Sequence, residues 1–314
     1  MTVLTKPMFA GAMAALCNTA PLAAQLPQYQ VSDSIIVGPT GGDFYTVDAV
    51  HHRLYGAGPQ IVDIDAKRVV GSVGDTTAGG GFVIAPELGI GLVRNGTLFT
   101  LSSGAVLSRV HARGDASLYD PATHRAFLLS DTVSVIDMKT GGLVAHISVP
   151  GAGESGVADG GGRVYFNLAL KDSIAVLNAR TLKLVAKYSV SPAKTPTGLA
   201  IDVRHNRLFV ACLQQVAVLD AVTGKMVTII TVPGGISDQF AFDPGTGLLF
   251  EPGGQGVLTI IHEDGPDEYS IVQTLRGPLF NINKIVVDSV KHVAYVPHRT
   301  AENAFSYLVL EPVR

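Results

Sequence analysis

Apolar and polar positions alternate in short runs along this chain, and the runs come in fours. The clearest set lies between Thr197 and Pro233, where Gly198–Asp202, Arg207–Ala211, Val216–Asp220 and Met226–Val232 each read as a half-buried strand. Turn chemistry closes them, as at Val203-Arg204-His205-Asn206 and Ala221-Val222-Thr223-Gly224. The foursome returns roughly every 40 residues, the period of a β-propeller blade. No segment joins helical periodicity to capping residues, so almost no helix is expected.

The repeat is anchored by an aspartate that ends the first strand, at Asp48, Asp120, Asp159, Asp202, Asp243 and Asp288. An apolar pair with an aromatic member follows each one: Leu54-Tyr55, Ala126-Phe127, Val164-Tyr165, Leu208-Phe209, Leu249-Phe250 and Ala294-Tyr295. Ala85 with Gly91-Leu92 supplies a degenerate copy, which makes seven blades. Recurrence in six blades assigns these aspartates a turn-forming job, since catalysis has no use for six copies. The chain runs out after the third strand of its last blade, Tyr307-Leu308-Val309-Leu310, whereas Tyr29–Gly38 resembles the other fourth strands. The expected fold is therefore an all-β, seven-bladed propeller of four-stranded blades, its ring closed by the N-terminal strand joining the last blade. Apolar contacts from Val31, Ile35, Ile36 and Val37 are expected to seal it.

Residues 1–24 carry one charge, Lys6, an apolar run from Met8 to Leu16, and a small-residue end at Ala20-Pro21-Leu22-Ala23-Ala24. This predicts a signal peptide, a single propeller domain from 25 to 314, and a periplasmic or secreted protein. Cys17 offers a lipoprotein alternative, although Leu16 stands where a small residue would precede a lipidated cysteine. No later run is long enough to span a membrane, so no integral membrane contact is expected. Removing a leader that holds only Lys6 leaves 22 basic against 26 acidic residues, a net of −4. With scattered basic residues and no Trp, nucleic acid is excluded as a partner. Cys212 would be the one cysteine left, so stability must come from core burial and ring closure, and a monomer is expected.

The third-strand exits Val135-Ile136-Asp137-Met138-Lys139-Thr140-Gly141, Val176-Leu177-Asn178-Ala179-Arg180-Thr181 and Val218-Leu219-Asp220-Ala221-Val222-Thr223-Gly224-Lys225 resemble those of the YVTN-type, or YncE-like, seven-bladed propellers. Phe209-Val210-Ala211-Cys212, Tyr165-Phe166-Asn167-Leu168 and Tyr295-Val296-Pro297-His298 occupy the place of the namesake tetrapeptide. The resemblance spans most of Phe44 to Pro312. It implies an exported propeller, in a family that includes surface proteins, binding or scaffold proteins and relatives of lactone-cleaving propellers.

Candidate chemistry comes from a second ring. Five residues before each anchor stand Asp43, Gly80, Asp115, Glu154, Thr197, Asp238 and Asn283, Gly80 being counted from Ala85. First strands line a propeller's channel, so this register gathers the seven at one mouth. Asp43, Asp115, Glu154 and Asp238 are the candidate metal ligands, an oxygen set suited to Ca²⁺ or Mg²⁺ or to a cationic ligand. Solvated, outward-turned acidic loops are the alternative. Loops between second and third strands open on the same face, and their Arg94, Asn95, Asn167 and Arg299 join Asn283 of the ring as candidate ligand-binding residues. Glu251 stands where other blades carry Val93, Leu128, Phe166, Val210 or Val296, a carboxylate in an apolar slot. His298 is the histidine nearest the channel side, whereas His51, His52, His124, His205 and His292 fall in turns of the opposite face. Cys212 is either a rim thiol or a small buried hydrophobe. No H-E-x-x-H, G-x-S-x-G, C-x-x-C or phosphate loop occurs. Two functions follow. One is a binding module that offers the channel face to a small molecule or protein. The other is a metal-assisted hydrolase of the lactonase type, with Glu251 or His298 as catalytic proton acceptor.

Overall fold

The computed structural model describes residues 26–74, 81–168, 170–280 and 283–313. Residues 1–24, where a signal peptide is expected, with Cys17 among them, and Gly80 lie outside the described residues. Among the described residues, seven antiparallel four-stranded sheets form the blades of a ring, and the only helical pieces are single 3-10 turns at Pro86–Leu88 and Pro278–Phe280. Blade V shows the order that the pattern predicts, with Leu199–Asp202, Arg207–Cys212, Gln215–Asp220 and Met226–Thr231 running from channel to rim. No helix among these residues is long and apolar enough to cross a membrane.

Each blade is started by its anchor aspartate. Asp48, Asp120, Asp202, Asp243 and Asp288 are at most 1% exposed. In Asp202 the two oxygens accept the backbone N–H groups of Arg204 and His205 at 3.0 and 3.2 Å, whereas Asp288 accepts those of Val290 and Lys291 on Oδ1 alone. Four residues after the anchor the chain turns left-handed at His52, His124, Asn206, Gly247 and His292, with φ between 53° and 68°. Asn and His tolerate that region better than most residues, which accounts for histidines in these turns without any appeal to chemistry. The third-strand exits use the same device, with Asp137, Asn178 and Asp220 each accepting two backbone N–H bonds.

Neighbouring blades pack through the second-strand aromatics, and Tyr55, Phe127, Tyr165, Phe209, Phe250 and Tyr295 are all 2% exposed or less. The degenerate blade II solves the same packing differently. Gly91 lies directly opposite Phe99, and a Cβ at Gly91 would sit 2.2 Å from that ring. The aromatic has moved to the third strand, and glycine makes room for it.

Ring closure follows from pairing of Tyr29–Gly38 with Phe305–Pro312, in register from Tyr29 opposite Pro312 to Gly38 opposite Phe305. The seal differs from expectation in its side chains: Tyr29 and Ile35 are buried, alternation turns Ile36 outward, and Val31 is exposed where the pairing shifts between Val31 and Asp33. Tyr29 meets Phe250 edge-on at 4.9 Å, and its backbone exchanges bonds of 2.7 and 2.8 Å with the Gln273 side chain of blade VI. Burial of these two side chains is worth about 3–6 kcal/mol before any ladder bond is counted, a large part of an ordinary domain's stability. A chain beginning at Thr40 is therefore expected to aggregate or melt far below one beginning at Gln25. Equal melting of two monomeric forms would show that this strand is not the seal.

Candidate functional site

The inner strands converge on the channel, and their entry residues are set by backbone bonds before any side chain acts. Asp115 donates its N–H to Leu129 at 2.7 Å, Thr197 to Ala211 at 2.8 Å, and Asp238 to Asn283 at 2.9 Å. Asn167 fixes Glu154: its side-chain oxygen accepts the N–H groups of Glu154 and Ser155 at 2.9 and 2.8 Å, while its amide donates to Pro196 at 2.9 Å. Fully buried and fully bonded, Asn167 positions a ring residue and has nothing left for a ligand.

These entries enclose a cavity of ≈ 230 Å³ lined by Asp43, Phe44, Asp115, Glu154, Thr197 and Asp238. Its charges are uneven. The Lys284 ammonium lies 2.8 Å from Asp238, 3.4 Å from Asp43 and 5.9 Å from the centre of the Phe44 ring. Arg94 adds a 3.4 Å contact to Asp43 and donates to the Asp115 carbonyl at 3.1 Å. Asp43 and Asp238 are thus neutralised from within the protein. Asp115 and Glu154 have no cation against them among the described residues. Partial burial, then the fields of Asp238 and Asp115, raise the Glu154 carboxyl above its ordinary range.

Lys284 was not among the sequence candidates, although it follows the ring position Asn283 directly. Counting along a repeat marks one position per blade and is blind to a neighbour that turns back into the ring. Asn283 accepts from Lys284 at 3.3 Å and also lines a separate ≈ 330 Å³ groove with Gly235, Gly253 and Gln255. Asn95 holds its own turn by accepting from the Thr97 N–H at 3.1 Å and borders a groove with His111 and Arg113. Arg299 is spent on its loop, donating to Pro39 and Asn303 carbonyls at 3.3 and 2.9 Å.

Neither expected proton acceptor lines the cavity. His298 sits half-buried on the second strand of blade VII, opposite Ser306. Glu251 lies inside blade VI opposite Thr259, 2% exposed, with Oε2 unpartnered. Burial pushes its carboxyl up to about 7, against a smaller lowering by Ser237. Cys212 is buried, and desolvation pushes its thiol up to about 12, so it behaves as a small hydrophobe.

The chain matches no protein-family model, and no curated protein resembles it closely enough to be called a relative. Among solved structures its fold is similar to Kuenenia stuttgartiensis hydrazine synthase, with a TM-score of 0.71 and 12% identity over 88% of this chain and 96% of that one. At that identity the likeness shows the fold alone.

Glu251 generates a sign-definite pH prediction. Its folded value of about 7 lies above the unfolded 4.5, so the folded state holds the proton more tightly. The group costs nothing below about pH 4.5, and the penalty grows to about 3 kcal/mol once pH has risen past 7. Relative to Glu251→Gln, the native chain should lose melting temperature between pH 5 and 8. Parallel melting curves for the two across that window would refute a buried, proton-holding Glu251.

Proposed function

We propose that this protein is a binding module whose channel mouth receives a small cationic ligand, a divalent ion or a short organic amine. The observation that carries the reading is the asymmetric ring, in which Asp115 and Glu154 face a cavity with no cation of their own while Lys284 and Arg94 occupy the other side. A volume of ≈ 230 Å³ is below the usual range for drug-sized ligands, so the occupant is a solvated ion or a few heavy atoms. The leader-like N-terminus supports an exported protein, and the Asp- or Asn-closed third-strand exits support kinship with the YVTN-type propellers.

The lactonase-type alternative needs a proton acceptor beside the bound cation. Glu251 is sealed within blade VI and His298 is not at the cavity wall, so the geometry favours binding over turnover. Calorimetric titration of the mature chain with Ca²⁺ and with 1,4-diaminobutane tests this. Asp115→Asn combined with Glu154→Gln should weaken binding of the preferred cation at least tenfold, while Lys284→Ala should strengthen it by freeing Asp43 and Asp238. The reading fails if neither cation binds at millimolar concentration, or if both variants bind like the parent. Metal-dependent hydrolysis of simple lactones would instead establish the enzyme.

A further inference from the structure

The face opposite the cavity holds a second cluster, at the junction of blades V and VI. Asp202 ends the inner strand of blade V, His205 lies in the following turn, and Glu263 lies late in the third strand of blade VI. One donor atom from each lies within 4.8 Å of the others. His205 Nδ1 is 2.7 Å from Asp202 Oδ2 and 3.2 Å from Glu263 Oε2. The two carboxylate side chains are 1% and 4% exposed, and the imidazole is 38% exposed.

Turn formation explains Asp202 and His205, because blade I repeats the pair as Asp48 and His51 at 2.7 Å. It does not explain Glu263. In five blades the residue after the third strand, Ile64, Leu101, Met138, Ala179 or Ala221, donates its N–H to the carbonyl of the residue just before the second strand, and Glu263, still within the longer third strand Val257–Gly265 of blade VI, makes the same bond to Gly247. All five are buried and apolar. Glu263 alone brings a carboxylate into that slot, against the buried anchor of the preceding blade, and Asp202 raises its carboxyl further. Tyr269 caps the other oxygen, Oε1, at 3.4 Å, leaving Oε2 turned towards His205. Arg204, the nearest arginine in sequence, donates to the Pro244 carbonyl.

We infer that Asp202, His205 and Glu263 form a binding site for a first-row divalent transition metal, Zn²⁺ foremost. One imidazole nitrogen and two carboxylate oxygens are a donor set that Zn²⁺ takes in tetrahedral sites, with water completing the fourth position from the open His205 side. Donors on a tetrahedral Zn²⁺ lie roughly 3.3–3.5 Å apart, so the 3.2 Å spacing already fits and the 2.7 Å spacing must open by about 0.6–0.8 Å, within reach of the half-exposed imidazole. Two carboxylates and a neutral imidazole carry a charge of −2, which a divalent ion cancels. Blade I lacks the third donor, because Leu101 fills the slot there, and the pair Asp48 and His51 should bind nothing.

The site is independent of the channel mouth, and the test separates them. The full chain carrying Asp115→Asn and Glu154→Gln is loaded with Zn²⁺, desalted and assayed for metal, then titrated calorimetrically. One Zn²⁺ per chain is expected. Glu263→Met, which installs the residue blade III uses, should fold and bind Zn²⁺ at least tenfold more weakly. His205→Gln should do likewise, and in the parent Co²⁺ should give a visible absorption band that both variants lose. No stoichiometric uptake by the parent, or uptake unchanged in both variants, would overturn the site and leave His205 with a structural role between two carboxylates.

Discussion

Closure of the ring is the constraint on which the rest depends. A four-stranded sheet of this kind has two apolar faces, and each must be covered by a neighbouring blade. A linear stack would leave two faces open, whereas seven blades in a circle leave none and only short edges at the rim. The last blade is completed by Tyr29–Gly38, which brings together residues from opposite ends of the chain: the hydroxyl of Tyr29 donates to His292 at 2.9 Å, and the side chain of Asp33 accepts from Lys67 of blade I. The strand therefore ties the final blade to both neighbours. Repeat folds gain stability from such nearest-neighbour interfaces, so one unsealed interface weakens the whole circle.

Closure also creates the candidate site. Inner strands aimed at one axis deliver their entry residues to one mouth, and Asp43, Asp115, Glu154, Thr197 and Asp238 line it. When four are acidic, repulsion and desolvation must be answered by cations from within or from outside. Lys284 and Arg94 answer part of the charge, and the blade III and IV side is left to a ligand. The same geometry delivers the anchor aspartates to the other face, where groups of their own turns bond them, backbone N–H at Asp202 and Asp288 and the Thr123 hydroxyl at Asp120. Burial of a carboxylate thus has opposite meanings at the two ends of the channel, and hydrogen-bond partners tell them apart.

Much of this was legible in the sequence because blades repeat. Asp48 through Asp288 fixed the inner hairpins, and counting back from them reached the cavity wall at Asp43, Asp115, Glu154, Thr197 and Asp238. What escaped is what does not repeat. Phe99 took over an aromatic position from the second strand, visible only when Gly91 is seen opposite it. Lys284 entered the ring from one position past the counted one. Asn167 looked like a polar loop tip and proved to be a fully bonded brace. The β-bulge between third and fourth strands, at Val135/Ile136, Val176/Leu177 and Val218/Leu219, leaves no residue signature, although it supplies twist to each blade.

Blade VI keeps the anchor and the aromatic of the repeat yet breaks it elsewhere, and the breaks share a chemistry. Where blades I, III and V oppose an arginine to an aspartate across the second and third strands, as Arg53 to Asp63, Arg125 to Asp137 and Arg207 to Asp220, blade VI sets Leu248 against His262. Two of its apolar slots hold the carboxylates Glu251 and Glu263. Each is a departure that burial alone would remove, since leucine or methionine in either place would be cheaper by the desolvation of a charged group. A sequence that keeps apolar residues at these positions in neighbouring blades shows that the fold does not require acids there. The local rule is broken twice within one blade and on two different interfaces, which is the pattern expected where chemistry, not packing, chose the residue.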